Sequence, residues 1–162
     1  MEKYMKAALK EAQKAADKDE VPVGCVIVRD HKIIARAHNM RETKQSAYAH
    51  AEVLAMQKAS RKLNTWCLND CDLYVTLEPC MMCIGTSILS RVHAVIYGTS
   101  DPKGGCTKTL IDIDRIPELN CHPIIIEGVL QQECAAILKQ FFKEKRKRRK
   151  RDPESFKKQD KH

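Results

Sequence analysis

The chain has 162 residues, 31% of them charged, with 29 Lys and Arg against 21 Asp and Glu and a formal net charge of +8. This length supports one sizeable hydrophobic core and is too short for two ordinary ones. No apolar run is long enough to span a bilayer, and the first residues enter a charged amphipathic pattern, so neither a membrane span nor a signal peptide is expected.

In chain order, Met5, Ala8, Leu9, Ala12 and Ala16 form a helical stripe. Val23 to Val28 and Ile33 to Ala37 read as a hairpin turning near Asp30-His31, and His50 to Lys62 is again helical. Leu73 to Leu77 is a buried strand, Cys80 to Leu89 a helix, Val92 to Gly98 a strand and Ile124 to Glu127 a last short one. A closing helix from Gln131 to about Lys150 carries Ala135, Leu138 and Phe142 on one side and should stop at Asp152-Pro153. Strands alternating with helices predict a three-layer α/β/α sandwich around a mixed five-stranded sheet. Residues 1–150 are expected to form the domain and 151–162 a basic tail without fixed structure.

The chemistry is concentrated in His50-Ala51-Glu52 and Pro79-Cys80-Met81-Met82-Cys83. With Pro79 read as the first helical position, Cys80 and Cys83 share one face of the first turn, where unpaired N–H groups favour thiolate. His50 completes a His/Cys/Cys set that suits zinc, and no fourth ligand is in register, as in catalytic zinc sites that keep a position for water. Glu52, two residues from His50 and differently aimed, is then a proton shuttle and not a ligand. Taken alone, Cys-x-x-Cys is equally half of a structural zinc site or a redox pair. The other cysteines, Cys25, Cys67, Cys71, Cys106, Cys121 and Cys134, show no disulfide framework, which agrees with reduced thiols in the cytosol. His31, His93, His122 and His162 read as surface or structural residues, and Trp66 as a packing residue.

Charge is unevenly placed. Residues 139–162 hold 12 basic and 4 acidic residues, whereas residues 1–138 are balanced. Lys143 to Arg151 is basic at every position but Glu144, an electrostatic footprint for nucleic acid.

Cys71-Asp72-Leu73-Tyr74-Val75-Thr76-Leu77-Glu78-Pro79-Cys80-Met81-Met82-Cys83, with Glu20-Val21-Pro22-Val23-Gly24 upstream and Ala49-His50-Ala51-Glu52 between, resembles the bacterial-type tRNA adenosine deaminases of the cytidine deaminase-like superfamily. The resemblance runs from about Met5 to about Arg149 and includes Asp101-Pro102-Lys103-Gly104-Gly105 and Phe141-Phe142. It implies zinc-dependent hydrolysis of adenosine to inosine at the wobble position of a tRNA anticodon, one Zn2+ per subunit, a homodimer and a cytoplasmic location. It also implies that Asn39 hydrogen-bonds the target base, that Val23 and the Pro79 to Met81 segment wall the base pocket, and that Asp101 and Lys103 meet the RNA backbone. Phe142, Arg146 and Arg149 would lie against the anticodon stem-loop, although helical spacing from Ala135 and Leu138 sends Phe142 toward the core. Ser46-Ala47-Tyr48, Cys106 and Lys108 depart from the family pattern and bear on RNA contacts, not on the zinc set. Two other readings stay open. A small-molecule guanine or cytosine deaminase would have no need of the basic tail, and a non-catalytic zinc RNA-binding protein would need neither Glu52 nor an open ligand position.

Overall fold

The structure, a computed structural model, describes residues 1–152. The expected basic tail therefore lies outside the described residues from 153 onward. Among the described residues eleven elements follow one another: α1 (Glu2–Ala16), β1 (Gly24–Arg29), β2 (Lys32–His38), α2 (Arg41–Lys44), α3 (Ala51–Leu63), β3 (Asp72–Leu77), α4 (Met81–Leu89), β4 (Ala94–Thr99), a 3-10 turn (Ile113–Arg115), β5 (Ile124–Ile126) and α5 (Gln131–Arg151).

The five strands form one mixed sheet in the order β2-β1-β3-β4-β5. β1 is antiparallel to β2 and β3, while β3, β4 and β5 run parallel. The β1–β2 hairpin turns at Asp30-His31, as expected, with φ of 48° and 60°, the two left-handed positions of a tight hairpin turn.

Alternation along the strands divides the core. Cys25, Ile27, Val75, Val95 and Tyr97 pack against α3 and α4 on one face; Val26, Val28, Tyr74, Ala94 and Ile96 pack against α1 and α5 on the other. The three-layer sandwich follows directly from two apolar sheet faces that both need cover. No helix among the described residues is long and apolar enough to cross a membrane.

Four expectations require correction. Pro79 is not the first helical residue: Cys80 caps α4 with an extended backbone (φ −74°, ψ 172°), and Met81 begins the helix. Cys80 is held extended because it bridges Gly105 while the Cys106 N–H donates to the Pro79 carbonyl at 2.8 Å. Second, the inner face of α5 runs through Cys134 and Phe141, seven positions apart on one stripe, so Phe141 is 5% exposed and Phe142 is 42% exposed. Cys134 sets that phase because it packs on the glycine of β4, where a Cβ on Gly98 would stand 2.3 Å from its Sγ. Third, Trp66 is 62% exposed, with the Arg91 guanidinium over its ring at 5.5 Å. Fourth, α2 and the 3-10 turn have no counterpart in the predicted set, since elements of four and three residues are too short to show a periodicity.

Candidate active site

Two helices begin side by side at one end of the sheet, and the residue capping each carries a metal-type donor. His50 precedes α3 with φ −76° and ψ 152°, and Cys80 precedes α4; their carbonyls accept the first helical bonds, from Leu54 and Ile84. Neither side chain turns back to cap its own helix, which leaves both to face each other. Cys83, one turn into α4, is fully buried beneath them. The Nδ1 atom of His50 lies 3.6 Å from Cys80 Sγ and 3.5 Å from Cys83 Sγ, and all three donor atoms fall within 4.8 Å of one another.

These distances fit zinc. With Zn–N near 2.05 Å and Zn–S near 2.3 Å, the nitrogen–sulfur edge of a tetrahedron is about 3.6 Å. An imidazole and two thiols are also the borderline-soft donors that this ion prefers. Among the described residues the group comprises only these three.

The electrostatics separate the groups. Cys80 is held down to about 4 by hydrogen bonds from Cys83 and from His50, against the opposing effect of burial. Cys83 is pushed up, first by its bond to Cys80 and then by burial. His50 is raised chiefly by its hydrogen bond to Cys80. Glu52, the second residue of α3, is 4% exposed, and burial raises its carboxyl above the ordinary value despite the pull of His50.

A cleft of about 270 Å³ opens over this group, lined by Val23, Asn39, His50, Glu52, Cys80 and Asp101 among others. Asn39 directly follows β2 and is 8% exposed. Pro79 is buried and does not line the cleft; of the expected Pro79 to Met81 wall, Cys80 alone does so. Lys103 is exposed, and its N–H donates to Asp101 Oδ1 at 3.0 Å. Phe142, Arg146 and Arg149 lie on the exposed face of α5, outside the cleft lining. Lys145 reaches that lining instead, and both Lys145 and Arg148 pair with Asp19 at the rim, at 3.9 and 2.5 Å.

A family model of MafB19-like deaminases matches residues 1–146. A tRNA-specific adenosine deaminase of Bacillus subtilis is 51% identical over 149 residues, covering 92% of each chain. One from Aquifex aeolicus is 44% identical over 145 residues, covering 90% of this chain and 95% of the other. The chain belongs to the tRNA-specific adenosine deaminase family. A solved structure from work on A-to-I editing by tRNA:A34 deaminases at the wobble position of transfer RNA superposes with a TM-score of 0.81 at 38% identity, covering 83% of this chain and 98% of that one.

Within this deaminase fold, two buried carboxylates escaped the sequence reading, although both stand in the quoted motifs. Glu78 is 2% exposed and accepts from the backbone N–H groups of Asp101, Thr107, Lys108 and Thr109 and from the hydroxyls of Thr107 and Thr109. Those bonds outweigh burial and hold its carboxyl at about 2. It thus ties the 101–109 loop to the strand end that leads into Cys80. Glu20 makes a similar knot on the other side of the cleft. The available signal was a carboxylate directly preceding a proline-containing apolar segment in both Glu20-Val21-Pro22-Val23 and Glu78-Pro79.

The Glu78 knot leaves room only for glycine at 105, where a Cβ would stand 2.2 Å from Glu78 Oε2 and 2.8 Å from the Asp101 carbonyl. Gly105→Ala is therefore expected to cost about 1–3 kcal/mol, the usual range for overpacking a buried site. Thermal denaturation and hydrogen exchange across 101–109 will measure it. An unchanged midpoint with unchanged exchange contradicts the tight loop.

Proposed function

We propose that this chain hydrolyses adenosine to inosine at the wobble position of tRNA anticodons, with one zinc ion held by His50, Cys80 and Cys83 in each subunit of a cytoplasmic homodimer. The observation that carries the reading is the three-donor cluster with buried Glu52 beside it, in a chain of this family. When bound, zinc acts as a Lewis acid that lowers the pKa of water from about 15.7 toward about 7.

The chain's own residues do the rest. Glu52, whose carboxyl burial raises above its ordinary value so that it can both take up and give back a proton, in its ionised form takes a proton from the attacking water and delivers it to ring N1 of adenine. The water oxygen adds at C6; Glu52, again a carboxylate, takes the remaining proton from the new C6 hydroxyl and passes it to the exocyclic amine, and ammonia leaves as the C6–N bond breaks and the C6 carbonyl forms. Adenosine and water become inosine and ammonia, and Glu52 returns to its starting state. Val23 and Asn39 shape and read the base from the facing wall. Asp101 and Lys103 stand where the ribose and its phosphate follow. The exposed Phe142 supports a splayed loop base, and Arg146 and Arg149 track the backbone of the anticodon stem-loop. Residues 1–150 act as the deaminase domain. The deciding experiment incubates purified protein with total tRNA and measures inosine by nucleoside mass spectrometry, with free cytidine and guanine alongside. Inosine in tRNA supports the reading, and deamination of the free bases alone replaces it with a small-molecule deaminase.

The basic end of α5 gives a separable prediction. A chain ending at Phe142 keeps Phe141, the last buried residue of the helix, so it should keep its fold and zinc. It loses the phosphate-neutralising run, and each lost contact removes about 0.7 from the log-log salt slope on single strands. Weaker tRNA binding with a clearly shallower salt dependence is expected in filter-binding titrations, with the saturated rate little changed. Phe142→Ala should weaken binding with the slope intact, because no charge is removed. Unchanged affinity and slope on truncation contradict the charge argument.

A further inference from the structure

Glu20 is fully buried and has no part in the chemistry above. Its carboxylate gathers three N–H donors. The Nδ2 of Asn39 at 3.3 Å and the backbone N–H of Glu42 at 3.2 Å share Oε2, and the backbone N–H of Thr43 donates to Oε1 at 2.5 Å. The two backbone donors are the second and third residues of α2, whose preceding Met40 offers no oxygen to cap them. The Asn39 N–H donates to the Val23 carbonyl at 2.9 Å, so Glu20, Val23, Asn39 and the start of α2 form one hydrogen-bonded wall of the cleft. A side-chain amide has two nearly isosteric orientations that differ only in which end donates. An acceptor-only partner selects one of them.

We propose that Glu20 is a positioning residue that sets the orientation of the Asn39 amide and thereby the hydrogen-bond polarity the cleft offers to a purine edge. The inference rests on the reading of Asn39 as the base contact. It makes a specific claim about Glu20→Gln. Three donors then meet one oxygen and one NH2 group, and of the three only the Asn39 amide can turn over to accept. The backbone N–H groups of Glu42 and Thr43 cannot. The Gln oxygen stays with Thr43, the shortest of the three bonds, so the NH2 group takes the Oε2 position: the Glu42 N–H loses its acceptor, and Asn39 flips to accept from the NH2 group, which reverses the polarity at the base.

The test is a double-mutant cycle on zinc-loaded protein, with an anticodon stem-loop RNA as substrate and inosine formation as the readout. Glu20→Gln is expected to retain zinc and RNA affinity and to lose about 10- to 100-fold in kcat/KM, mostly in kcat, the scale of a misplaced recognition group. Asn39→Ala should lose a similar amount, and Glu20→Gln added to Asn39→Ala should cost less than about twofold more, because residues that act through one another are non-additive. Additive losses overturn the proposal, since a merely structural Glu20 weakens both backgrounds alike. Parent-like Glu20→Gln beside an impaired Asn39→Ala overturns it while leaving the base contact standing. Parent-like Asn39→Ala removes the base contact and the proposal together. If Glu20→Gln does not hold zinc, the parent protein decides by NMR: slow exchange of one Asn39 Nδ2 proton supports the pair, and free-amide exchange of both overturns it.

Discussion

Glu52→Ala is expected to retain zinc and tRNA affinity while its deamination rate falls by at least about 10²- to 10⁴-fold, the usual contribution of a positioned general acid/base. Glu52 lies on the first turn of α3 beside His50 but outside the group of three clustered donors. Its removal therefore leaves the metal's protein ligands complete. What it removes is a buried carboxyl, raised by desolvation and next to His50, that can accept a proton from water and return one to the leaving amine. Zinc content by elemental analysis, tRNA binding and single-turnover inosine formation separate the possibilities. A rate within about tenfold of the parent contradicts the shuttle. Loss of zinc would make Glu52 a ligand.

Cys83→Ala should lose the metal and, with it, all measurable deamination. Cys83 is fully buried and 3.5 Å from His50 Nδ1, and alanine offers no donor atom in place of its sulfur. Two remaining protein donors, one from each helix, make a far weaker site than three converging on one point. The expected zinc content falls from about one ion per chain toward zero. Cys80→Ala should behave the same way, and full zinc retention in both variants would place the ion elsewhere and end the mechanism. The site also predicts a structural cost, because a bound ion would tie the N-termini of α3 and α4 together through these three side chains. A lowered thermal midpoint should therefore accompany zinc loss.

Much of the fold was legible because it rests on local periodicity. The Asp30-His31 turn is a two-residue connection that joins β1 to β2, and β3, β4 and β5 are compact apolar runs, the first two separated by α4 and the last two by a loop with a 3-10 turn. Where the reading went wrong, a distant residue decided. The phase of α5 was taken from Ala135 and Leu138, but Cys134 packing on Gly98 rotates the helix so that Phe141 turns inward and Phe142 outward. Pro79 looked like a helix opener, but the strand-like bridge from Cys80 to Gly105 keeps it outside α4. Trp66 was read as a packing residue and is exposed at the surface under Arg91.

The same division applies to the site. Sequence alone determined the donor types, the three-residue spacing of the two thiols at a helix start, and the acid two residues from the histidine, because these are matters of covalent spacing. Only the tertiary structure decided that His50 meets sulfurs 30 and 33 positions away, that Asn39 is pinned by a carboxylate 19 positions upstream, and that Glu78 gathers a loop more than 20 positions downstream. Such contacts depend on how two helices and a sheet pack, and packing is set by the summed burial of many side chains rather than by the residues that finally touch.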